Sequence, residues 1–269
     1  MKIKCLIFMF VTAVVLFTAC DVVLEEDRLI PVKLEPETSE RKVLLVEFTG
    51  QNCVNCPTAA AEANMLLNGL PDNLIVVAMH PAGLGFVREQ LASEEAMEYL
   101  REFGGSVSTA LPTGLINCCN FGSSSNESYL QGYSLWSGLI LKERAKAPDC
   151  LVDLTYSKED KHQVLVTLTP KVNMSYDVSL QLWLLENNIQ GFQASKGNQY
   201  VHNHIFRKSI NSLWGEELGV ISGLTTKEYS FDIESKYEEK NCSVVAVLIK
   251  TDTKEVVQAS EIALGEVLH

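Results

Sequence analysis

Apolar residues along this chain fall into two regimes. Up to about residue 147 they come as short continuous runs joined by stretches of helical spacing, and beyond Pro148 they alternate with polar residues. VLLVEF, residues 43–48, is broken only by Glu47 and predicts a buried strand; NLIVVAM, residues 73–79, predicts a second. Between them PTAAAEANMLLNGLP predicts a helix from about Val54 to Asn68, with Gly69 and Pro71 ending it. Pro57 sits in its first turn, where a missing N–H is tolerated. In VREQLASEEAMEYLREFGG, residues 87–105, Leu91, Met97, Leu100 and Phe103 recur at roughly helical spacing and predict a helix with one apolar and one acidic face. A short apolar strand follows Pro112 in STALPTGLIN, and CCNFGSSSNES after it is turn-rich. SYLQGYSLWSGLILKERAKA, residues 128–147, predicts an amphipathic helix stopped by Pro148.

From Cys150 the period becomes two. CLVDLTY, QVLVTLTP, DVSLQLWLLE, YVHNHIFRKSI, KEYSFDI, CSVVAVLIK and EVVQASEIAL read as about seven strands separated by polar turns. Short strands at this spacing predict an all-β, immunoglobulin-like sandwich. The expected organisation is therefore an α/β domain over residues 43–148 and a β-sandwich domain over residues 149–269.

The first twenty residues stand apart from both. MKIKCLIFMFVTAVVLFTAC has two early lysines, an apolar stretch and small residues before Cys20, the layout of a bacterial export signal. LFTAC resembles a lipobox, which implies lipidation at Cys20 and loss of Cys5 with the signal. Residues 21–42, charged and carrying two prolines, read as a tether. No later apolar run reaches the length of a membrane-crossing helix, so the expected membrane attachment is the lipid alone. The chain carries 34 Asp and Glu against 22 Lys and Arg with no basic cluster, which disfavours a nucleic-acid partner.

Chemistry concentrates at GQNCVNCP, residues 50–57. The predicted elements put Cys53 at a strand-to-helix junction and Cys56 one turn into the helix. The positive end of a helix stabilises a thiolate, so Cys53 is the expected attacking sulfur and Cys56 the resolving thiol. A metal site would need two more ligands. His80 reaches the same end of the sheet but reads as a packed or loop residue. Cys118 and Cys119 lie about 17 Å along the strand that starts at Pro112. No cofactor or metal is expected.

Six of the eight cysteines remain once Cys5 and Cys20 are set aside, allowing fifteen pairings if all bond. In an oxidising compartment a Cys150–Cys242 disulfide bracing the sandwich is the leading expectation, with Cys118 or Cys119 bonded to Cys150 as the alternative. His202 and His204 are expected on one face of a strand, with Phe206 continuing that face as a half-exposed aromatic patch. The long connection carrying Trp214 is the expected binding segment of the sandwich.

The order strand, Cys-x-x-Cys on a helix, strand, helix, then proline followed by Thr and another strand resembles the thioredoxin-like family over residues 43 to about 147. The resemblance implies that Pro112 is cis and packs near the cysteine pair, with neighbours that pair to client backbone. It also implies that Glu47, six residues before Cys53, is a buried acid assisting proton transfer to Cys56. Val54 and Asn55 stand where thioredoxin has Gly and Pro, and Gln51 and Asn52 replace the usual approach, so the direction of any redox reaction is left open.

With the lipobox, acidic tether, HPAG, LPTGLIN and VHNHIFRKSIN added, the chain resembles the Bacteroidetes family of outer-membrane lipoproteins of about 28 kilodaltons. That resemblance implies an outer-membrane, lipid-anchored protein, on the periplasmic face or the cell surface, that contacts protein partners as an interaction or adhesion module. The alternative is a thiol–disulfide oxidoreductase acting on exported proteins through Cys53 and Cys56.

Overall fold

The computed structural model describes residues 40–123 and 125–265. The export signal, the lipidation cysteine Cys20 and the tether up to residue 39 lie outside the described residues. Three strands open the fold: β1 (Val43–Phe48) lies parallel to β2 (Leu74–Met79) and antiparallel to β3 (Thr113–Ile116). Every residue in them is buried because both faces are covered. On one face Val43, Leu45 and Ile116 meet α1 (Cys56–Gly69) and α3 (Trp136–Arg144) through Ala59, Trp136 and Ile140. On the other, Leu44, Val46 and Leu115 belong to a core with Met97, Tyr99 and Leu100 of α2 (Glu94–Glu102).

Two helices are shorter than their apolar spacing predicts. Ser93 caps α2 by accepting a hydrogen bond from the Ala96 N–H at 3.2 Å, and Glu94, Glu95 and Arg101 complement its dipole. Residues 87–92 stay outside the helix and fold back on the cysteine loop. A 3-10 turn over Tyr133–Leu135 precedes α3, so the closing helix starts at Trp136, not near residue 128.

The β-rich region packs two sheets face to face. β4 (Cys150–Lys158), β5 (His162–Pro170) and β11 (Thr225–Phe231) form one. β6 (Val178–Glu186), β12 (Cys242–Lys250) and β13 (Val256–Ala263) face it, with β10 (Glu216–Gly219) paired to β6. Val152, Val164 and Leu168 meet Leu180, Leu182, Val244 and Leu248 between the sheets. The alternate side chains of β6 and β12, among them Trp183, Leu185, Val245 and Val247, point into the core that also holds α2. Strand β9 (Ile205–Ser209) pairs with β6 and meets β2 in parallel at Ala78 and Ile205. A thioredoxin-like α/β region is thus followed by a β-sandwich, and one sheet, ordered β13-β12-β6-β9-β2-β1-β3, runs through both.

The alternating pattern merges or misses several strands. YVHNHIFRKSI is split between β8 (Gly197–His202) and β9, because His204 adopts a left-handed backbone with φ 58° and its N–H is held by Asn187 Oδ1 at 2.8 Å. His202 and His204 therefore do not share a strand face, and Phe206 lies in the core against Trp183 in place of a half-exposed patch. Strand β7 (Ile189–Gln193), absent from the expected set, pairs with β8 in a hairpin separate from both sheets.

The expected Cys150–Cys242 bond is not formed, nor is a bond from either to Cys118 or Cys119; all four are buried thiols. Cys150 opens a strand of the three-stranded sheet and turns its Sγ to Leu151 O at 3.3 Å. Cys242 opens a strand of the large sheet and turns to Glu238 O at 3.5 Å. Trp214 is partly buried against the shared core: its ring stacks on Tyr99 with centroids 5.0 Å apart, and Lys254 Nζ lies over it at 5.7 Å.

Candidate active site

Strand β1 delivers the chain to the cysteine loop. Thr49 N–H continues the ladder to Met79 O, and the chain then turns through Gly50. A Cβ on Gly50 would fall 2.5 Å from Phe86 O, so only glycine lets the two backbones approach this closely. Cys53 and Cys56 are joined as a disulfide. Cys56 is the first residue of α1, and its N–H points at Cys53 Sγ at 3.1 Å; Pro57 follows at a position that lacks an intrahelical acceptor. Cys53 is 3% exposed and Cys56 1%, whereas Val54 between them is 65% exposed. The pair is therefore approached past Val54. The Leu111–Pro112 peptide is cis, and Thr113 pairs with Phe48, which brings Pro112 to the same end of the sheet as the cysteine loop.

The β7–β8 hairpin, which nothing in the alternation signals, grips this loop. Gln193 Nε2 donates to Cys53 O at 2.9 Å and to Gly50 O at 3.2 Å, and Ala194 N–H donates to Gln51 O at 2.7 Å. Ser195 Oγ donates to Val54 O at 3.4 Å. Arg88 ties in the loop before α2: its N–H donates to Gln51 Oε1 at 2.9 Å, its Nε to Asn52 Oδ1 at 2.8 Å, and its guanidinium covers the Phe192 ring at 3.5 Å. Sequence reasoning misses Gln193 and Arg88, because neither belongs to a motif and both act through folded-back loops. Gln51 was legible only as a departure from the thioredoxin pattern.

Beneath the pair lies a cavity of about 40 Å³ whose lining includes Glu47, Cys56, His80, Tyr200, His202 and His204. Glu47 is buried mid-strand, opposite Ala78 and Gly114. Burial pushes its carboxyl up to about 8, with the Thr49 hydroxyl pulling more weakly the other way. Burial likewise holds His80 neutral, its pKa pushed down to about 3, aided by repulsion from His202 and Arg207. His202 and His204 are lowered too, chiefly by burial. The His80 and His202 rings meet edge to face at 6.1 Å, and His202 Nε2 lies 3.2 Å from Phe192 O. Of the expected site residues, Cys53, Cys56, Glu47 and Pro112 gather at one end of the α/β region, and His202 and His204 join them from the β-rich region. Trp214, Cys150 and Cys242 lie in other clusters. Cys118 and Cys119 sit beyond the far end of β3, their thiols pushed up by burial, Cys118 to about 12. No cluster of histidine, cysteine or carboxylate with metal-ligand geometry occurs among the described residues.

Among solved structures, HBP35 of Porphyromonas gingivalis is similar over 85% of this chain and 77% of its own, with TM-score 0.67 and 19% identity. Protein AGR_C_4864 from Agrobacterium tumefaciens is similar over 85% of this chain and 96% of its own, with TM-score 0.57 and 16% identity. At these identities the likeness is one of fold. No curated protein matches the chain. Residues 98–267, from within α2 through β13 and so beyond the cysteine pair, match the family described as outer membrane protein Omp28, and the chain belongs to that family of outer-membrane proteins.

Proposed function

We propose that this outer-membrane family member is a thiol–disulfide oxidoreductase that acts on exported proteins through Cys53 and Cys56. One observation carries the reading: the pair closes at the N-terminus of α1, and Cys56 lines the same small cavity as a buried carboxyl, Glu47. A purely structural brace needs neither a helix N-terminus under the sulfur nor an ionisable group held near neutrality. In the reducing direction the Cys53 thiolate attacks a client disulfide, forming a mixed disulfide and releasing one client thiolate. Cys56 then gives its proton to the Glu47 carboxylate and attacks Cys53 Sγ. The Cys53–Cys56 bond forms, the second client thiolate leaves, and two electrons have passed from the dithiol to the client. Oxidation of a client dithiol is the same sequence reversed. Pro112 lines the approach, where client backbone pairs beside it.

In this reading the chain is anchored through lipid at Cys20, and the tether spaces the site from the bilayer. Residues 43–148 supply the redox module and residues 149–269 the sandwich that frames it. The deciding experiment compares disulfide exchange with an unfolded, disulfide-bonded protein for the wild type and Cys53→Ser. The expected result is Cys53-dependent turnover with trapping of a mixed disulfide in Cys56→Ser; equal rates in wild type and Cys53→Ser would sink the proposal.

A further inference from the structure

The cavity under the cysteine pair holds more polar groups than one acid requires. Three residues of its wall carry a buried polar atom with no protein partner: Glu47 Oε1, His80 Nδ1 and His204 Nδ1. Leaving such atoms unpaired costs about 1–3 kcal/mol each, so their gathering around one small space calls for an occupant that bonds to them together. A space of about 10–15 Å³ admits one water, and a buried water takes two to four partners. The cavity of about 40 Å³ meets the first condition, and three unpartnered polar atoms on residues of its wall answer the second; Cys56, bonded to Cys53 here, lines the same wall. A metal ion fits the same wall poorly, since no ligand set with metal geometry is present among the described residues.

The histidines arrive from different elements. His80 follows β2, with its backbone C=O bonded to Ser93 N–H at 2.9 Å, while His204 sits in the left-handed link between β8 and β9, with its C=O bonded to Ala78 N–H at 2.7 Å. The β-rich region therefore supplies part of the wall. Other titratable and charged groups facing the space are His202 and Tyr200 from β8, with Arg207 of β9 repelling protons from His80 and His202. His202 directs one ring nitrogen to Phe192 O, whereas His80 and His204 each keep a buried Nδ1 with no protein partner.

We propose that His80 and His204 are positioning residues that, with Glu47, hold a buried water carrying the proton from Cys56 to Glu47 during resolution of the mixed disulfide. This rests on the oxidoreductase reading and adds two residues to it, one of them from the β-rich region. No atom is consumed: the water accepts the Cys56 proton as it delivers one to the carboxylate, and the neutral rings only orient it. Burial disfavours protonation of both rings, most strongly His80, whose pKa is pushed down to about 3.

The test uses the reduced full chain and 5,5′-dithiobis(2-nitrobenzoate), which releases one aromatic thiolate when Cys53 attacks and a second when Cys56 resolves. His80→Phe and His204→Leu, which remove a water-holding nitrogen, are expected to slow the second release at least about tenfold and to alter its pH profile, leaving the first unchanged. His80→Asn and His204→Asn keep a polar atom, tolerate the fold better and are expected to recover part of the rate. A second release with unaltered rate and pH profile in all folded variants overturns this inference alone. If the wild type releases no thiolate in a Cys53-dependent manner, the oxidoreductase reading fails and takes this inference with it.

Discussion

At the residue scale the site is a balance between one buried acid and several buried bases. Glu47 titrates near 8 in the fold against 4.5 for an unperturbed carboxyl. Above 4.5 the unfolded chain gives up this proton while the folded chain keeps it, so stability falls as pH rises through the window and levels off above 8. His80 has the opposite sign: its pKa drops from 6.5 to about 3, so below 6.5 the unfolded chain takes up a proton that the fold refuses. His202 and His204, also lowered by burial, act in the same sense, so below 6.5 the histidines oppose the carboxyl. The wild type is expected to lose about 2 kcal/mol through Glu47 between pH 6.5 and 8. Glu47→Gln removes that limb, while Glu261, also raised by burial, keeps acting in the same direction. Urea midpoints at the two pH values read this directly; equal slopes for wild type and variant would mean that Glu47 is already ionised in the fold. A second consequence is steric: Gly50→Ala forces the turn away from Phe86 O and is expected to cost about 1–3 kcal/mol, measured by the same midpoints.

At the element scale the hairpin β7–β8 is the least expected part of the fold and the one most involved with the cysteine loop. Gln193→Ala would leave Cys53 O and Gly50 O without their shared donor and loosen the hairpin tip by about 1–3 kcal/mol. In the reduced protein the expected outcome is severalfold faster alkylation of Cys53 by iodoacetamide, on the order of the local opening gained. An unchanged rate would show that the hairpin does not limit access. The pattern of apolar residues foretold β1, β2 and β3 because helices bury both their faces, whereas Glu47 as a buried acid came from the thioredoxin-like resemblance, not from the pattern. It could not foretell β7, whose IQGFQ residues pair only with each other's strand and pack little apolar surface. Nor could it see the break at His204, since a left-handed histidine leaves no mark on alternation. The cysteine pairing failed as a prediction for a related reason: spacing places Cys150 and Cys242 at strand starts but says nothing of which sheet each strand joins.

At the scale of the whole molecule the question is whether the two patterns along the chain are two cooperative units. Within the shared sheet they are joined by one strand pairing, β2–β9 at Ala78 and Ile205, which taken alone would be a weak joint. The apolar core argues otherwise. Leu44, Val46, Met97 and Tyr99 from the first region pack with Trp183, Phe206, Val245 and Val247 from the second, and Tyr99 alone meets Trp183 edge-on at 5.4 Å and Trp214 in a stack at 5.0 Å. Separating the regions would expose fully buried side chains on both sides, at about 1.5–3 kcal/mol for each large one. Several such residues exceed the whole stability of an ordinary domain, so neither region is expected to persist when the other unfolds. Trp136 reports on the α/β region, where it packs beneath β1 and β3, and Trp183 reports on β6. Variants that keep one of these tryptophans, with the other two replaced by Phe, are expected to unfold with coincident fluorescence midpoints in urea, and the cysteine site to lose its protection at that same midpoint. Separate midpoints would show that the shared core does not couple the regions, and that the site's histidine wall can be lost while the cysteine-bearing helix remains folded.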